Sequence, residues 1–203
     1  MVTDTYLEAV ASLATGNVYQ AHCVMDHLFA DYPRDGQRFW QVGLLPLEQE
    51  RTLAVLRMDG AIKHEEAATR YRMAERAVPD EIEGAALFVP KQTKDWSPFR
   101  DEAQAVAQVL RRLALSGETA SVALSPVETL RLQRKNKPIV APVRAVYFRL
   151  RADAQKRKEL LLRGLGGLRG LGMGLVLTDP AMVRLLEARY GRQAAAEIAG
   201  TSK

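Results

Sequence analysis

The stretch Arg163–Leu177, RGLGGLRGLGMGLVL, decides how the rest of the chain is read. Gly164, Gly166, Gly167, Gly170, Gly172 and Gly174 crowd together just ahead of the apolar run Leu175, Val176, Leu177. Glycine takes positive φ at no steric cost and lets another backbone come close, so a cluster this dense describes a loop built for intimate contact. The preceding segment, Asp153 to Arg163 (DAQKRKELLLR), is made of helix formers, which gives the local order helix, glycine loop, buried strand. A dinucleotide fingerprint needs its glycines between a strand and a following helix, and a Walker loop needs Lys-Ser/Thr after the last glycine. Neither is present, which disfavours a nucleotide-binding enzyme. The competing reading is a plain flexible connector, and Arg169 inside the loop, with cations around it, weighs against that.

With 203 residues, 47% of them hydrophobic, the chain can bury the cores of one or two compact domains. Its net charge of +5 is unevenly placed: Arg131 to Arg169 holds twelve Lys/Arg against two acids, so the remainder is net acidic. Such asymmetry favours a polyanionic partner over a merely solvated basic face. Cys23 is the only cysteine, which excludes disulfides and cysteine-rich zinc sites and suits a reducing cytoplasm. No apolar run approaches the roughly eighteen residues of a membrane span, and no cleavable signal pattern opens the chain, so a cytoplasmic protein with no membrane partner is expected.

In chain order, Tyr6–Leu13 reads as an opening strand, although its alanines equally allow a helix. Asn17 is a good N-cap for a helix to about Ala30, on which Tyr19 and His22 share a face. Asp26 follows one turn after His22, placed either to orient it or to cap a turn. Pro33, Asp35 and Gly36 mark a turn. Phe39–Leu45 and Thr52–Met58 read as strands, Lys63–Ala77 as a helix and Ala85–Pro90 as a short buried strand. A second helix spans about Arg100–Leu115, with an apolar stripe of Ala103, Val106, Ala107, Leu110 and Leu113. Strands at Ala120–Leu124, Val127–Leu132 and Pro142–Leu150 follow, the last two flanking RLQRKNKP as a basic hairpin tip. Helix Asp153–Arg163, the glycine loop, strand Leu175–Leu177 and a final helix Pro180–Ala199 complete the chain. Each half is close to β-α-β-β-α-β. The expected class is α+β, two tandem ferredoxin-like (RRM-like) domains at 1–92 and 93–178, with a C-terminal helical extension at 179–203 that docks either on a neighbouring subunit or on its own core.

Gly164 to Val176, GLGGLRGLGMGLV, resembles the C-terminal glycine-rich loop of the RAMP superfamily, in the form carried by the Cascade-type CRISPR repeat-RNA endoribonucleases. NVYQAHCVMDHLFADYP resembles the first helix of that family, with its Tyr-x-x-His. VRAVYFRLRADAQKRKELLLR and DEAQAVAQVLRRL look like its later strand and helices. The matches run in the family's order from about Tyr6 to Leu177; 60–92 has no match and the tail after Thr178 is an addition.

The resemblance implies metal-independent cleavage of a CRISPR precursor RNA beside its repeat stem-loop. The enzyme then stays on the product, within an effector complex of other CRISPR subunits. RNA supplies its own nucleophile, the 2′-OH, so no metal and no small-molecule cofactor is expected. What is needed is a base for the 2′ proton and an acid for the departing 5′ oxygen, roles a histidine fills near neutral pH. His22 matches the family histidine and Tyr19 the family tyrosine. His27 and His64 lie elsewhere in the sequence pattern. Arg131, Arg134, Lys135 and Lys137 stand where the family places an RNA-gripping hairpin. Arg163, Gly166, Gly167, Arg169 and Gly170 would meet phosphates at the glycine loop, and Lys156, Arg157 and Lys158 would extend the track. The alternative is a non-catalytic RAMP subunit that only holds guide RNA.

Overall fold

The computed structural model describes residues 4–28, 40–59, 73–90, 97–134, 137–193 and 196–197. Two antiparallel sheets carry the fold. The first contains β1 (Thr5–Leu13), β2 (Trp40–Glu48), β3 (Arg51–Asp59) and β4 (Ala74–Ala77), in the order β2-β3-β1-β4. That is the ferredoxin-like strand order, with helix α1 (Val18–Leu28) crossing between β1 and β2. Asn17 caps α1 as expected, its side-chain oxygen accepting the amides of Tyr19 at 2.9 Å and Gln20 at 3.2 Å.

The second sheet runs β5-β8-β6-β9, from β5 (Ile82–Phe88), β6 (Glu118–Leu124), β8 (Lys137–Arg151) and β9 (Ala196–Glu197). β7 (Glu128–Arg134) pairs with the first half of the long β8 to make the expected hairpin, closing with Arg134 opposite Lys137. Helix α2 (Ser97–Arg100) is a single turn; α3 (Glu102–Leu113) and α4 (Ala154–Arg163) are the two helices of this unit, capped by Asp101 and Asp153. The strand expected at Leu175–Leu177 shrinks to one bridge, Leu177 with Ala85, which still occupies the fourth-strand position beside β5. Alternate residues of β5 enter different cores. Ala85 and Leu87, followed by Val89 just beyond the strand, face the apolar core between the two sheets, while Ile82, Ala86 and Phe88 face the core under α3 and α4. A strand covered on both faces has no polar side, and this is why AALFVP is continuously apolar.

Four expectations are corrected. Ala74–Ala77, read as the end of a helix, is strand β4, because the open edge of β1 needs partners and the register Thr5↔Ala77 to Glu8↔Ala74 supplies them against local helix propensity. β5 therefore opens the second sheet rather than closing the first, and the pairing changes over between β4 and β5, upstream of residue 92. On α3 the buried stripe is Ala105, Val109 and Leu113, an i, i+4, i+8 row; Val106 and Leu110 pack beside it and Ala103 is exposed. The final helix, α5 (Pro180–Tyr190), stops at Gly191, whose φ of 75° breaks the helical path, and the chain returns as β9 on the edge of β6.

α5 docks on its own core. It packs on β2 of the first sheet and on β5 and β8 of the second. Leu186 is fully buried, the Tyr190 hydroxyl donates to Pro46 O at 3.1 Å, and the Tyr147 hydroxyl donates to Gly191 O at 2.9 Å. The C-terminal addition thus clasps the two units together. Among the described residues no helix is long and apolar enough to cross a membrane.

Candidate nucleic-acid interface

α1 buries Val18, Ala21 and Met25, spaced one and two turns apart, against the first sheet. Tyr19 and His22 flank that face and are half-buried, whereas His27 is exposed; the side chain of Asp26 and all of His64 lie outside the described residues. The same helix also packs against β7 and against the 3₁₀ turn Arg169–Leu171 inside the glycine loop. Histidine helix, basic hairpin and glycine loop therefore meet, although they lie far apart in sequence.

On the hairpin, Arg131 is exposed. Arg134 and Lys137 are backbone register partners at its end, and their side chains, like all of Lys135, lie outside the described residues. Arg163 is exposed at the C-terminus of α4, and its carbonyl accepts from Arg169 Nη1 at 3.3 Å.

The glycine loop runs between the two sheets. Gly172 O accepts the Leu44 amide of β2 at 2.7 Å. On the other side the Gly167 amide donates to Val89 O at 2.6 Å, and Leu177 exchanges both backbone bonds with Ala85 at 2.7 and 2.9 Å. Arg57, buried on β3, reaches the end of the loop by donating to Val176 O, while its Nε pairs with Glu8 at 2.8 Å. Most of the loop's glycines are thus consumed by packing. A Cβ on Gly172 or Gly174 would meet Leu44 or the Leu165 carbonyl, and both residues have φ near +80°. Gly166 lies against Val89 and Phe88. Only Arg169 and Gly170 stand exposed at the apex, with Gly170 in open space. Leu168, which introduces the turn, is the one described non-glycine residue with positive φ, at 53°. Such strain is retained where surrounding structure over-determines it, often at functional loops.

The cations of α4 divide. Lys156 is exposed and pairs with Asp153 at 3.5 Å, and Arg157 donates to Asp80 O. Lys158 is buried and bonds Asp59 of β3 at 2.7 Å, which removes it from any surface track and makes it a tie between the units. Sequence reasoning missed two neighbours. Arg112, at the end of α3, shares a cleft of about 250 Å³ with Lys156, Arg163 and Arg169; the paired Arg111-Arg112 after an apolar stripe was its one sequence signal. Gln41 on β2 is buried against Gly164, and neither polar atom of its side-chain amide has a hydrogen-bond partner.

No protein-family model matches the chain, and no curated protein matches it by sequence. Solved structures match it in fold. A CRISPR endoribonuclease Cse3 bound to a 19-nucleotide RNA is 16% identical and superposes with a TM-score of 0.61 over 87% of this chain and 98% of that one. Thermus thermophilus Cse3, bound to an RNA representing a pre-cleavage complex, is also 16% identical, with a TM-score of 0.59 over 88% and 100% of the two chains. A CRISPR-associated protein from Thermus thermophilus is 16% identical at a TM-score of 0.51, over 87% and 100%. At this identity the likeness lies in the backbone path. The chain has the fold of the CRISPR endoribonuclease Cse3: two ferredoxin-like units, here clasped by a C-terminal helix.

Proposed function

We propose that this chain is an endoribonuclease that cuts CRISPR precursor RNA beside the repeat stem-loop and keeps the stem-bearing product. The observation that carries the reading is the packing of the His22 helix against both the basic hairpin and the glycine-loop turn. The RNA-bound Cse3 structures of the same fold support it.

An A-form stem is recognised chiefly by its phosphates and shape, which suits the run of cations Arg131, Arg134, Lys135 and Lys137 in the hairpin sequence. Arg163 and Arg169 would take the strand at the foot of the stem. Neutralising about six phosphates makes affinity fall by about 10³-fold between roughly 50 and 200 mM salt. The scissile ribose then lies beside His22. The 2′ oxygen loses its proton to a base and attacks the adjacent phosphorus; the 5′ oxygen leaves and takes up a proton. His22 supplies one of these transfers and Tyr19, one turn earlier, hydrogen-bonds the phosphate oxygens. The products are a 2′,3′-cyclic phosphate and a 5′-OH. Because the grip on the stem is unaffected by the cut, the product stays bound and is held as guide within a CRISPR effector complex.

The test is incubation in EDTA with the repeat RNA of the host's own CRISPR array, wild type beside His22→Ala. The proposal expects cleavage by the wild type alone, with cyclic-phosphate ends. Binding without cleavage by either protein would leave the guide-holding subunit, and equal cleavage by both would remove His22 from the chemistry.

A further inference from the structure

Of the residues lining the cleft bounded by the end of α3, by α4 and by the glycine loop, only Arg163 and Arg169 are already assigned to the foot of the stem. Among the described residues its lining comes from Arg112 at the end of α3 and Leu115 and Ser116 beyond it, from Lys156, Glu159 and Arg163 on α4, and from the loop up to Arg169; none of that lining belongs to α1 or β7. Among the described residues four cations thus line the cleft with one carboxylate, and Glu159 already accepts from Gln155 Nε2 at 2.9 Å. The Lys156–Asp153 pair is more than half exposed on both sides, the kind of surface pair that contributes little and yields easily to a better anion. At about 250 Å³ the cleft has room for a phosphate and part of its sugar. Arg169 is the shared wall: its 3₁₀ turn touches α1 on one side and its side chain lines the cleft on the other.

Resting on the endoribonuclease reading, we infer that this cleft binds the phosphodiesters of the single RNA strand that continues past the cut, with Arg112 as its determining residue. A strand leaving the foot of the stem beside α1 passes Arg169 and enters the cleft. Guanidinium groups match phosphate oxygens in a bidentate way that a lysine does not, so Arg112 adds geometry as well as charge. The site would orient the flank so that the scissile phosphate is held from both sides.

The experiment measures affinity for two RNAs made uncleavable by 2′-deoxyribose at the cut: the stem-loop alone, and the stem-loop with its single-stranded flank. Each single-strand phosphate neutralised is worth roughly fivefold at about 0.1 M salt. The flank is therefore expected to tighten wild-type binding by about tenfold or more. Arg112→Ala should lose about fivefold of that gain, Arg112→Glu all of it, and Arg112→Lys an intermediate part, because the charge stays and the bidentate fork goes, while stem-only affinity stays at the wild-type value and serves as the folding control. An equal flank gain in Arg112→Ala and Arg112→Glu overturns the inference. So does wild-type stem binding with no flank gain, which leaves the endoribonuclease reading standing; failure of the wild type to bind either RNA sinks both. Inorganic phosphate forms the third arm. Thermal stabilisation by phosphate that Arg112→Glu abolishes, without a flank gain, would assign the cleft to a free phosphate and refute the strand.

Discussion

Replacing Gly174 with alanine tests whether the glycines of the loop are there for packing. Gly174 sits at φ +80°, and an added Cβ would lie 1.9 Å from the Leu165 carbonyl oxygen. The left-handed backbone alone costs an ordinary residue about 1–2 kcal/mol. Moving away from the Leu165 carbonyl also breaks the bond from the Leu165 amide to Gly174 O, now 2.8 Å, in a buried place where such a loss costs about 1 kcal/mol or more. The sum is about 3 kcal/mol, which for a chain of this length lowers the melting temperature by about 6–12 °C. Gly170 is the internal control. It has no atom within 4 Å of an added Cβ and is not among the positive-φ glycines, so Gly170→Ala should stay within about 0.5 kcal/mol of wild type. Both variants are measured by thermal and urea unfolding followed by circular dichroism. A Gly170→Ala as damaging as Gly174→Ala, or a neutral Gly174→Ala, would refute the assignment of the loop's glycines to packing between the sheets.

Asp59→Ala removes a carboxylate from the buried Lys158 ammonium, and a stability loss of about 3 kcal/mol is expected, largely restored in an Asp59→Leu/Lys158→Met double variant; a neutral single variant in urea melts would contradict the tie. Burial pushes the Tyr190 hydroxyl up to about 12 from its ordinary 10. Because the folded value is the higher one, this contribution is complete below pH 10 and disappears as pH rises from 10 towards 12. Tyr190→Phe should therefore flatten the alkaline limb of the stability curve, and an unchanged limb would mean that α5 is not what alkali releases. Gln41→Met replaces a buried amide that has no partner with an apolar chain of similar shape, and should raise stability by about 1 kcal/mol; a loss in the same melts would mean the amide is satisfied by water or another group.

What could be read from the sequence were features set by neighbours in the chain. Asn17 announces α1 because its cap bond is local, and RLQRKNKP announces a hairpin tip because no buried segment carries such charge. The glycine loop was visible as a place of close contact, but the chain does not say with whom. Its partners, Leu44 and Val89, are far away in sequence, and they take up Gly167 and Gly172 before any ligand could. Lys158 was indistinguishable from its charged neighbours because Asp59 is ninety-nine positions away. β4 was hidden for the opposite reason: MAERA has good local helix propensity, and only the unpaired edge of β1 overrules it. Tyr19 and His22 could be named from a motif, yet the packing of their helix against β7 and against the Arg169–Leu171 turn is a property of the assembled fold.

One RNA strand must be held by hairpin and loop while His22 acts on it. The most direct measurement is the single-turnover cleavage rate, alongside the dissociation constant, for one repeat RNA with wild type, His22→Ala, Arg131→Ala and Arg169→Ala. His22→Ala is expected to slow cleavage by about 10²–10⁴-fold with affinity unchanged, Arg131→Ala to weaken affinity and flatten its salt dependence, and Arg169→Ala both to slow cleavage and to weaken affinity. Cleavage by His22→Ala at the wild-type rate, or affinity indifferent to Arg131 and Arg169 together, would contradict this arrangement.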